Sequence, residues 1–443
     1  MRMRKAVKIN ACTGISIVVA NMIGTGAFTS LGFQMESLRN MAVVLTLWLL
    51  GGVLALSGAF SYAEVGTEIK KSGGEYAFLS QIYHPVMGYL SGWISLTVGF
   101  AAPIALSVIA FTEYLPINLV YPKFYGVLLI AVLTLVHSYS LNLSSKFQNI
   151  STLLKIILIL TLIVIGFVMP ASAENAINCE TSFTSEITSM AFAVSLIYVS
   201  YSYSGWNAAT YIIEEFKNSR KALPIALIGG TFLVTILYTL LQYIFLRHIP
   251  LPELIGTLNI GTLAVNHMLG TRAAAFFGGT ISLLLVSGIS AMIWVGPRVT
   301  ASIASEHYLW RYFKSTPGQI PVRSLWLQFL ISAILLITGT FEQIMIYCGI
   351  LLNLSSLLVV VGVFVLRRKK ERKDGYRSPL FPFLQVLFIL ISLWMIGYTL
   401  VNNPLETGIG LGNLFLGLVT YFISCRQGKR RTLCFPTKLE KGR

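Results

Sequence analysis

The chain has 443 residues, of which 55% are hydrophobic and 11% charged, and it carries a formal net charge of +16. Water-soluble domains carry about a quarter charged residues, so this composition excludes a soluble enzyme or binding module and points to a bilayer as solvent. A basic surplus of this size fits a nucleic-acid binder only when it clusters on a soluble surface, and its placement along the chain excludes that.

Twelve apolar blocks follow one another near 11–33, 41–63, 85–111, 124–143, 150–170, 187–213, 223–246, 273–297, 323–340, 342–366, 379–401 and 406–425. Each approximates the ~20 residues that a spanning helix needs. Of the 33 Lys and Arg, 28 fall on the amino-terminal side of this zigzag. Only Arg39, Lys123, Arg247 and Arg272 fall on the other side, and Lys155 lies inside a block. The positive-inside rule then puts both termini in the cytoplasm. Residues 1–10 read as a cytoplasmic amino terminus and 426–443 as a cytoplasmic tail of a multi-pass protein of the inner or plasma membrane. The run Arg367–Lys373 reads as a stop-transfer flank, with attraction to anionic lipid as the alternative. The first block is too long for a cleavable signal peptide and lacks a small-residue cleavage site.

Residues that carry chemistry are sparse. The five cysteines (Cys12, Cys179, Cys348, Cys425, Cys434) show no metal spacing, and His84, His137, His248, His267 and His307 are scattered. Only Cys179 falls in an outer loop, so no intramolecular disulfide is expected there. With no GxSxG, P-loop or HExxH motif, no catalytic residue, metal or cofactor is expected, and the chain does not read as an enzyme.

Two blocks carry glycine and polar residues in their middles. The first has Gly24-Thr25-Gly26 midway along it, and the sixth mixes hydroxyls, Gly205 and aromatics from Ser200 to Asn207. Glycine weakens a helix by about 1 kcal/mol against alanine. Unwinding frees backbone groups that cost several kcal/mol each in hydrocarbon unless protein, water or ligand satisfies them. Close helix packing through small residues is the alternative for each glycine pair. The blocks also repeat: Gly24 and Ser204 are 180 residues apart, and later blocks recur at a similar offset. Five blocks per half make the repeats inverted in the membrane, and interrupted helices at matching positions point to a transporter's binding site. The expected fold is all-α and integral to the membrane, with 12 transmembrane helices. Its 5+5 inverted-repeat (LeuT-like) core has broken helices 1 and 6, with helices 1–5 in residues 11–170 and helices 6–10 in 171–366. Two extra helices occupy 367–425.

At these breaks the sequence resembles the amino acid–polyamine–organocation (APC) superfamily, and within it the L-type amino acid transporter branch. Asn21-Met22-Ile23-Gly24-Thr25-Gly26-Ala27-Phe28 is similar to the family's N-x-I-G-[ST]-G-[IV]-F signature, with alanine where a larger aliphatic is usual. Tyr201 to Asn207, then Glu214-Glu215 and Leu223-Pro224, resembles its F-A-Y-x-G-W-x…E-E…N-P…P run, with Ser219 in place of proline. Lys146-Phe147-Gln148 followed by Lys155 is a third match, and the resemblance spans about residues 10–365.

The resemblance implies a Na⁺-independent carrier of α-amino acids, and the residues suit a zwitterion. The N–H groups of Thr25, Gly26 and Ala27 at the start of a half-helix suit a carboxylate. Freed carbonyls of Ile23, Tyr201, Ser202 and Ser204, beside Gly24, suit an ammonium. The resemblance makes Tyr201 a lid over the substrate and adds Asn207 to the binding set, both having plain packing as the alternative. Lys155 is the only ionisable side chain placed deep in a block, where a charge costs at least ~2.5–3.5 kcal/mol. In the family it stands where sodium-coupled relatives hold a cation, bridging helices 1, 5 and 8, or else it releases a proton in the cycle; snorkelling is the alternative. Tyr238 matches a family tyrosine of helix 7 and is expected near the same region. Glu214 and Glu215 read as solvated charges or as an inner gate.

The 17 acidic residues lie near loops or block ends, so none offers an obvious counter-charge to a cationic side chain. A neutral amino acid is therefore expected, moved by exchange or by proton symport, with a cationic amino acid as the alternative. A channel or a nontransporting sensor on the same fold is the reading from another class. The eukaryotic relatives bind a glycoprotein subunit through a cysteine after helix 3. Residues 112–124 contain none, so no disulfide-linked heavy subunit is expected.

Overall fold

Hydrocarbon offers backbone N–H and C=O groups no partners, so a chain this apolar must satisfy them within helices. The computed structural model describes residues 9–139, 144–171, 182–315, 319–369 and 375–434, and their side chains except those of 144–149, 369 and 428–434. Arg2, Arg4, Lys5 and Lys8, the Lys146-Phe147-Gln148 side chains, Cys179, the rest of the basic run 369–373, and most of the tail lie outside that description. Every regular element among the described residues is helical, apart from one parallel bridge between Ile9 and Phe216.

Among the described residues, ten helical stretches are long and apolar enough to cross a membrane. The first is broken into α1 (Ala11–Met22) and α2 (Gly26–Thr29), and a further turn, α3 (Leu31–Gln34), extends it. α4 (Met41–Ile69) returns and leads into the short α5 (Gly74–Ile82). The third stretch joins α6 (Pro85–Ile94) through a π-helical turn at Ser95–Gly99 to α7 (Ala101–Tyr114). α8 (Pro122–Tyr139) and α9 (Ser144–Val168) complete the first half. After α10 (Phe183–Ile187), the sixth block forms α11 (Met190–Ser202), a turn, and a 3₁₀ segment, Ala208–Glu215. α12 (Ser219–His248) is followed by the short helices α13 (Leu251–Leu254) and α14 (Ile260–Leu269), then by α15 (Thr271–Glu306). α16 (Val322–Thr338), α17 (Phe341–Lys369), α18 (Phe383–Asn402) and α19 (Pro404–Cys434) finish the chain.

The two expected spans missing from the ten are the sixth, split by its break, and the ninth, α16, with 17 residues. The eighth runs longer than its apolar block, because Pro297 does not end it and α15 continues to Glu306. Arg298 therefore sits inside the helix, stacked 3.7 Å from the Trp294 ring and donating to the Trp294 carbonyl. Lys155 is thus not the one cation within a crossing helix.

The helices sort into two groups. α1, α4, α11 and α12 pack together and contain both breaks, while α7, α8, α15 and α16 form a second group. α9 touches both, through α12 and α15. α19, α8 and α18 are the least enclosed, with 17%, 22% and 28% of their apolar windows buried.

Lipid tails are as apolar as leucine, so polar ties and close packing hold such helices together. The clearest tie is Arg367, whose Nε and Nη2 donate to Oε1 and Oε2 of Glu64 at 2.7 Å each. The Ser378 N–H donates to the same carboxylate at 2.8 Å, and the guanidinium lies 3.7 Å from the Phe381 ring. The basic run that starts at the end of α17 therefore begins with a residue that fastens α17 to α4. Removing either partner strands a charge, which costs about 3–5 kcal/mol when fully buried and less here because Arg367 is 27% exposed. Arg367→Ala and Glu64→Ala are each expected to lower the thermal midpoint in detergent. The double variant should lose less than the sum, leaving a coupling of about 1–3 kcal/mol.

Candidate functional site

The first break begins where the α1 ladder stops. Ile23 has left helical geometry, at φ −72°, ψ 89°, and residues 23–25 bend before Gly26 starts α2. Carbonyls on both sides of the bend receive side-chain donors from other helices. The Tyr238 hydroxyl donates to Met22 O at 2.6 Å, and the Gly24 N–H faces that hydroxyl. Lys155 Nζ donates to Ile23 O at 3.1 Å. Gln242 Nε2 donates to Ala27 O at 2.8 Å, and the Tyr114 hydroxyl to Phe28 O at 2.8 Å. Tyr238 and Gln242, four residues apart on one face of α12, thus hold the two sides of the break. Lys155, on α9 and 7% exposed, also lies beside α15: a Cβ added to Gly288 would sit 3.5 Å from its Nζ.

The second break is a turn at residues 203–207 between α11 and the 3₁₀ segment. Gly205 makes it possible. Its φ of +99° disfavours any L side chain, and an added Cβ would lie 2.7 Å from Asn21 O. Tyr201 and Ser202 remain helical, so unwinding starts later than the sequence implied, and Tyr201 O already accepts the Ser204 N–H at 2.8 Å. The buried Tyr201 ring faces Thr25 across the gap.

The two breaks touch. The Gly26 backbone lies against Ser202, where an added Cβ would sit 2.5 Å from Ser202 Oγ. A relay of side-chain hydrogen bonds ties α4, the turn after α2 and α11 together beyond this contact. Trp48 Nε1 donates to Gln34 Oε1 at 2.9 Å, and Gln34 Nε2 to Ser30 Oγ at 3.3 Å. Ser30 Oγ then meets Ser202 Oγ at 3.0 Å, and Ser202 donates to Tyr198 O at 2.8 Å.

The structure therefore gathers Ile23, Gly24, Thr25, Gly26, Ala27, Tyr201, Ser202, Lys155 and Tyr238 around one place. Ser204 lies on the adjoining turn. Asn207 does not join them, because its Nδ2 donates to Glu75 on α5. A small cavity of about 20 Å³, enough for roughly one water, is lined by Ile23, Gly24, Phe28, Lys155 and apolar residues of α9 and α15. Contacts bridge the chain on both sides of it. At one end Ile9 pairs with Phe216; at the other, Phe33 stacks on Phe341 and the Gly256 N–H donates to Gly32 O at 3.1 Å.

Sequence reasoning missed Gln242, Tyr114, Gln34 and Glu75. Gln242 left a signal, as an amide in an apolar helix one turn after Tyr238, and intramembrane polar groups tend to be functional. Glu75 left none, since it falls in a loop between two blocks.

Gly24 and Gly26 separate packing from openness. A Cβ on Gly24 would meet nothing closer than Met22 O at 3.9 Å, whereas one on Gly26 would overlap Ser202. Gly26→Ala should destabilise the purified protein by about 1–3 kcal/mol through overpacking, and Gly24→Ala should leave its thermal midpoint nearly unchanged.

Residues 9–423 match the family model described as amino acid permease. The serine/threonine exchanger SteT of Bacillus subtilis (strain 168) is 25% identical over 427 residues, covering 94% of this chain and 96% of the relative. The b(0,+)-type amino acid transporter 1 of Mus musculus is 27% identical over 434 residues, covering 94% and 87%. The large neutral amino acids transporter small subunit 2 of Mus musculus is 26% identical over 439 residues, covering 94% and 80%. With its apolar helices and its two facing breaks, the chain belongs to the amino acid permease family, and it is a multi-pass membrane transporter of amino acids rather than an enzyme.

Proposed function

We propose that this permease is a sodium-independent carrier of neutral α-amino acids that works by alternating access, by exchange or by proton symport. The observation that carries the reading is the Lys155 ammonium donating to Ile23 O beside Gly288. A fixed cation there links the break in helix 1 to α9 and α15, which removes the need for a sodium ion. The substrate carboxylate is assigned to the N–H groups of Thr25, Gly26 and Ala27. The substrate ammonium is assigned to the carbonyl side of both breaks, at Ile23, Gly24, Tyr201, Ser202 and Ser204, with Tyr201 as the lid and Tyr238 as a gating residue. Asn207 acts through its bond to Glu75 rather than as a direct ligand. The cavity of about 20 Å³ at the first break is smaller than an amino acid, so the substrate enters and leaves through opening of one end at a time.

Two relatives support the substrate class by name, one a serine/threonine exchanger and one a transporter of large neutral amino acids. The charge distribution supports a cell-membrane protein with cytoplasmic termini, twelve spans and a 5+5 inverted-repeat core. The murine relative is named a small subunit; residues 115–121 here contain no cysteine, and this chain is proposed to act without a disulfide-linked heavy subunit.

A ligand that binds only the folded protein at 100 times its Kd stabilises it by about 2.7 kcal/mol. Serine, alanine, threonine or leucine should therefore raise the thermal midpoint of the purified protein, and arginine and glutamate should not. Uptake of the stabilising amino acid into proteoliposomes should persist when choline replaces sodium. Stabilisation by arginine alone, or uptake that stops without sodium, would contradict the proposal.

A further inference from the structure

The carboxylate of Glu75, on α5, is 5% exposed and serves three donors from two other elements. The Tyr62 hydroxyl of α4 donates to Oε1 at 3.0 Å. Asn207 Nδ2 donates to the same oxygen, and the Tyr211 hydroxyl donates to Oε2 at 2.8 Å. Asn207 and Tyr211 belong to the second break and to the 3₁₀ segment after it. Such a segment has poor hydrogen-bond geometry of its own, so it depends on ties to its surroundings. Next to Glu75, the Tyr76 hydroxyl donates to Glu306 at the end of α15. Two consecutive residues of α5 thus fasten the 3₁₀ segment on one side and α15 on the other.

The 3₁₀ segment also carries the start of α1. The Ile9 N–H donates to Glu215 O at 2.8 Å, and the Lys217 N–H donates to Ile9 O at 3.0 Å. The two strands of this bridge must move together. A path from this end of the molecule to Gly24 opens only if the pair swings away from α5 and α15, with the turn at Gly205 as the hinge. Charge-assisted hydrogen bonds are roughly twice as strong as neutral ones, and the Glu75 carboxylate accepts two of them, from Asn207 and Tyr211, across the seam that has to part.

We propose that Glu75 is the latch of the gate on the amino-terminal face. Its carboxylate holds the 3₁₀ segment, and with it the start of α1, against α5, and opening toward that face requires Asn207 and Tyr211 to leave it. The latch deepens the alternating-access reading above and rests on it. Glu75 is a positioning residue that acts through Asn207 and Tyr211, not a substrate ligand.

The test uses Thr210→Cys in the full chain without its native cysteines, in lipid nanodiscs. Thr210 is 0% exposed and bonds only its own turn, to Asn207 O at 2.7 Å. Its reaction with a hydrophilic maleimide therefore reports opening of the segment and needs no substrate. Glu75→Ala should raise the labelling rate about tenfold, and Tyr211→Phe a few-fold. Glu75→Gln should fall between the parent and Glu75→Ala, because its Oε1 still accepts from Tyr62 and Asn207 and its Nε2 can donate to the Tyr211 oxygen, but without the charge that strengthens these bonds. A parallel reporter, Ser282→Cys, is 1% exposed on the other half of α15 and should not change. The proposal is overturned by labelling at the parent rate in Glu75→Ala, by glutamine being as fast as alanine, or by an equal rise at Ser282→Cys. If Glu75→Ala does not fold, Tyr211→Phe at the parent rate overturns it. A failure of every amino acid to bind would count against the substrate assignment and leave this labelling result standing.

Discussion

A carbonyl released from a helix in hydrocarbon needs a donor, and without one it costs several kcal/mol. The structure around the first break answers that constraint. Met22, Ile23, Ala27 and Phe28 each present a carbonyl to a side chain from another helix: Tyr238, Lys155, Gln242 and Tyr114 in turn. α12, α9 and α7 are positioned by this requirement as much as by packing. The break is therefore not a flexible joint in a regular helix. It is held open by four fixed donors, and the break in the sixth span is seated against it through Gly26 and Gly205.

The same constraint explains how one structure can be tied on both sides of the breaks and still move. On the α2 and α11 side of the breaks the two broken spans are joined by the Trp48–Gln34–Ser30–Ser202 relay. On the side of the chain's start and the 3₁₀ segment they are joined by the Ile9–Phe216 bridge and fastened to α5 through Glu75. The two locks share no residue and lie on opposite sides of the breaks. Separate locks on the two sides are what the proposed alternating access would require.

Much of this was legible in the sequence because hydrophobic length, glycine placement and intramembrane charge are local signals. Gly24-Thr25-Gly26 and Gly205 marked the two breaks, and Lys155 was conspicuous as a cation inside an apolar block. The structure sets it beside the first break, on Ile23 O. Less legible were features set by tertiary contact. Unwinding at the second break starts after Ser202, because Tyr198, Ser30 and Gly26 hold that turn of α11 in place. Asn207 turns away from the first break because the buried Glu75 carboxylate, 132 positions away in the chain, claims it. Arg298 stays helical because the ladder carries on past Pro297, with its guanidinium laid over Trp294. No periodicity in one sequence reveals which loop residue will meet which helix.

The central claim is that the Lys155 ammonium, seated on Ile23 O, does the work of a bound cation in organising the site. Lys155→Met keeps most of the apolar stem and removes the donor. Its most direct test is initial uptake of a transported amino acid into sodium-free proteoliposomes, normalised to monodisperse protein. The account predicts that the variant remains folded and loses at least about tenfold of the wild-type rate, since a charged donor to a buried carbonyl contributes about 1.5–3 kcal/mol. Uptake within about twofold of wild type would contradict it.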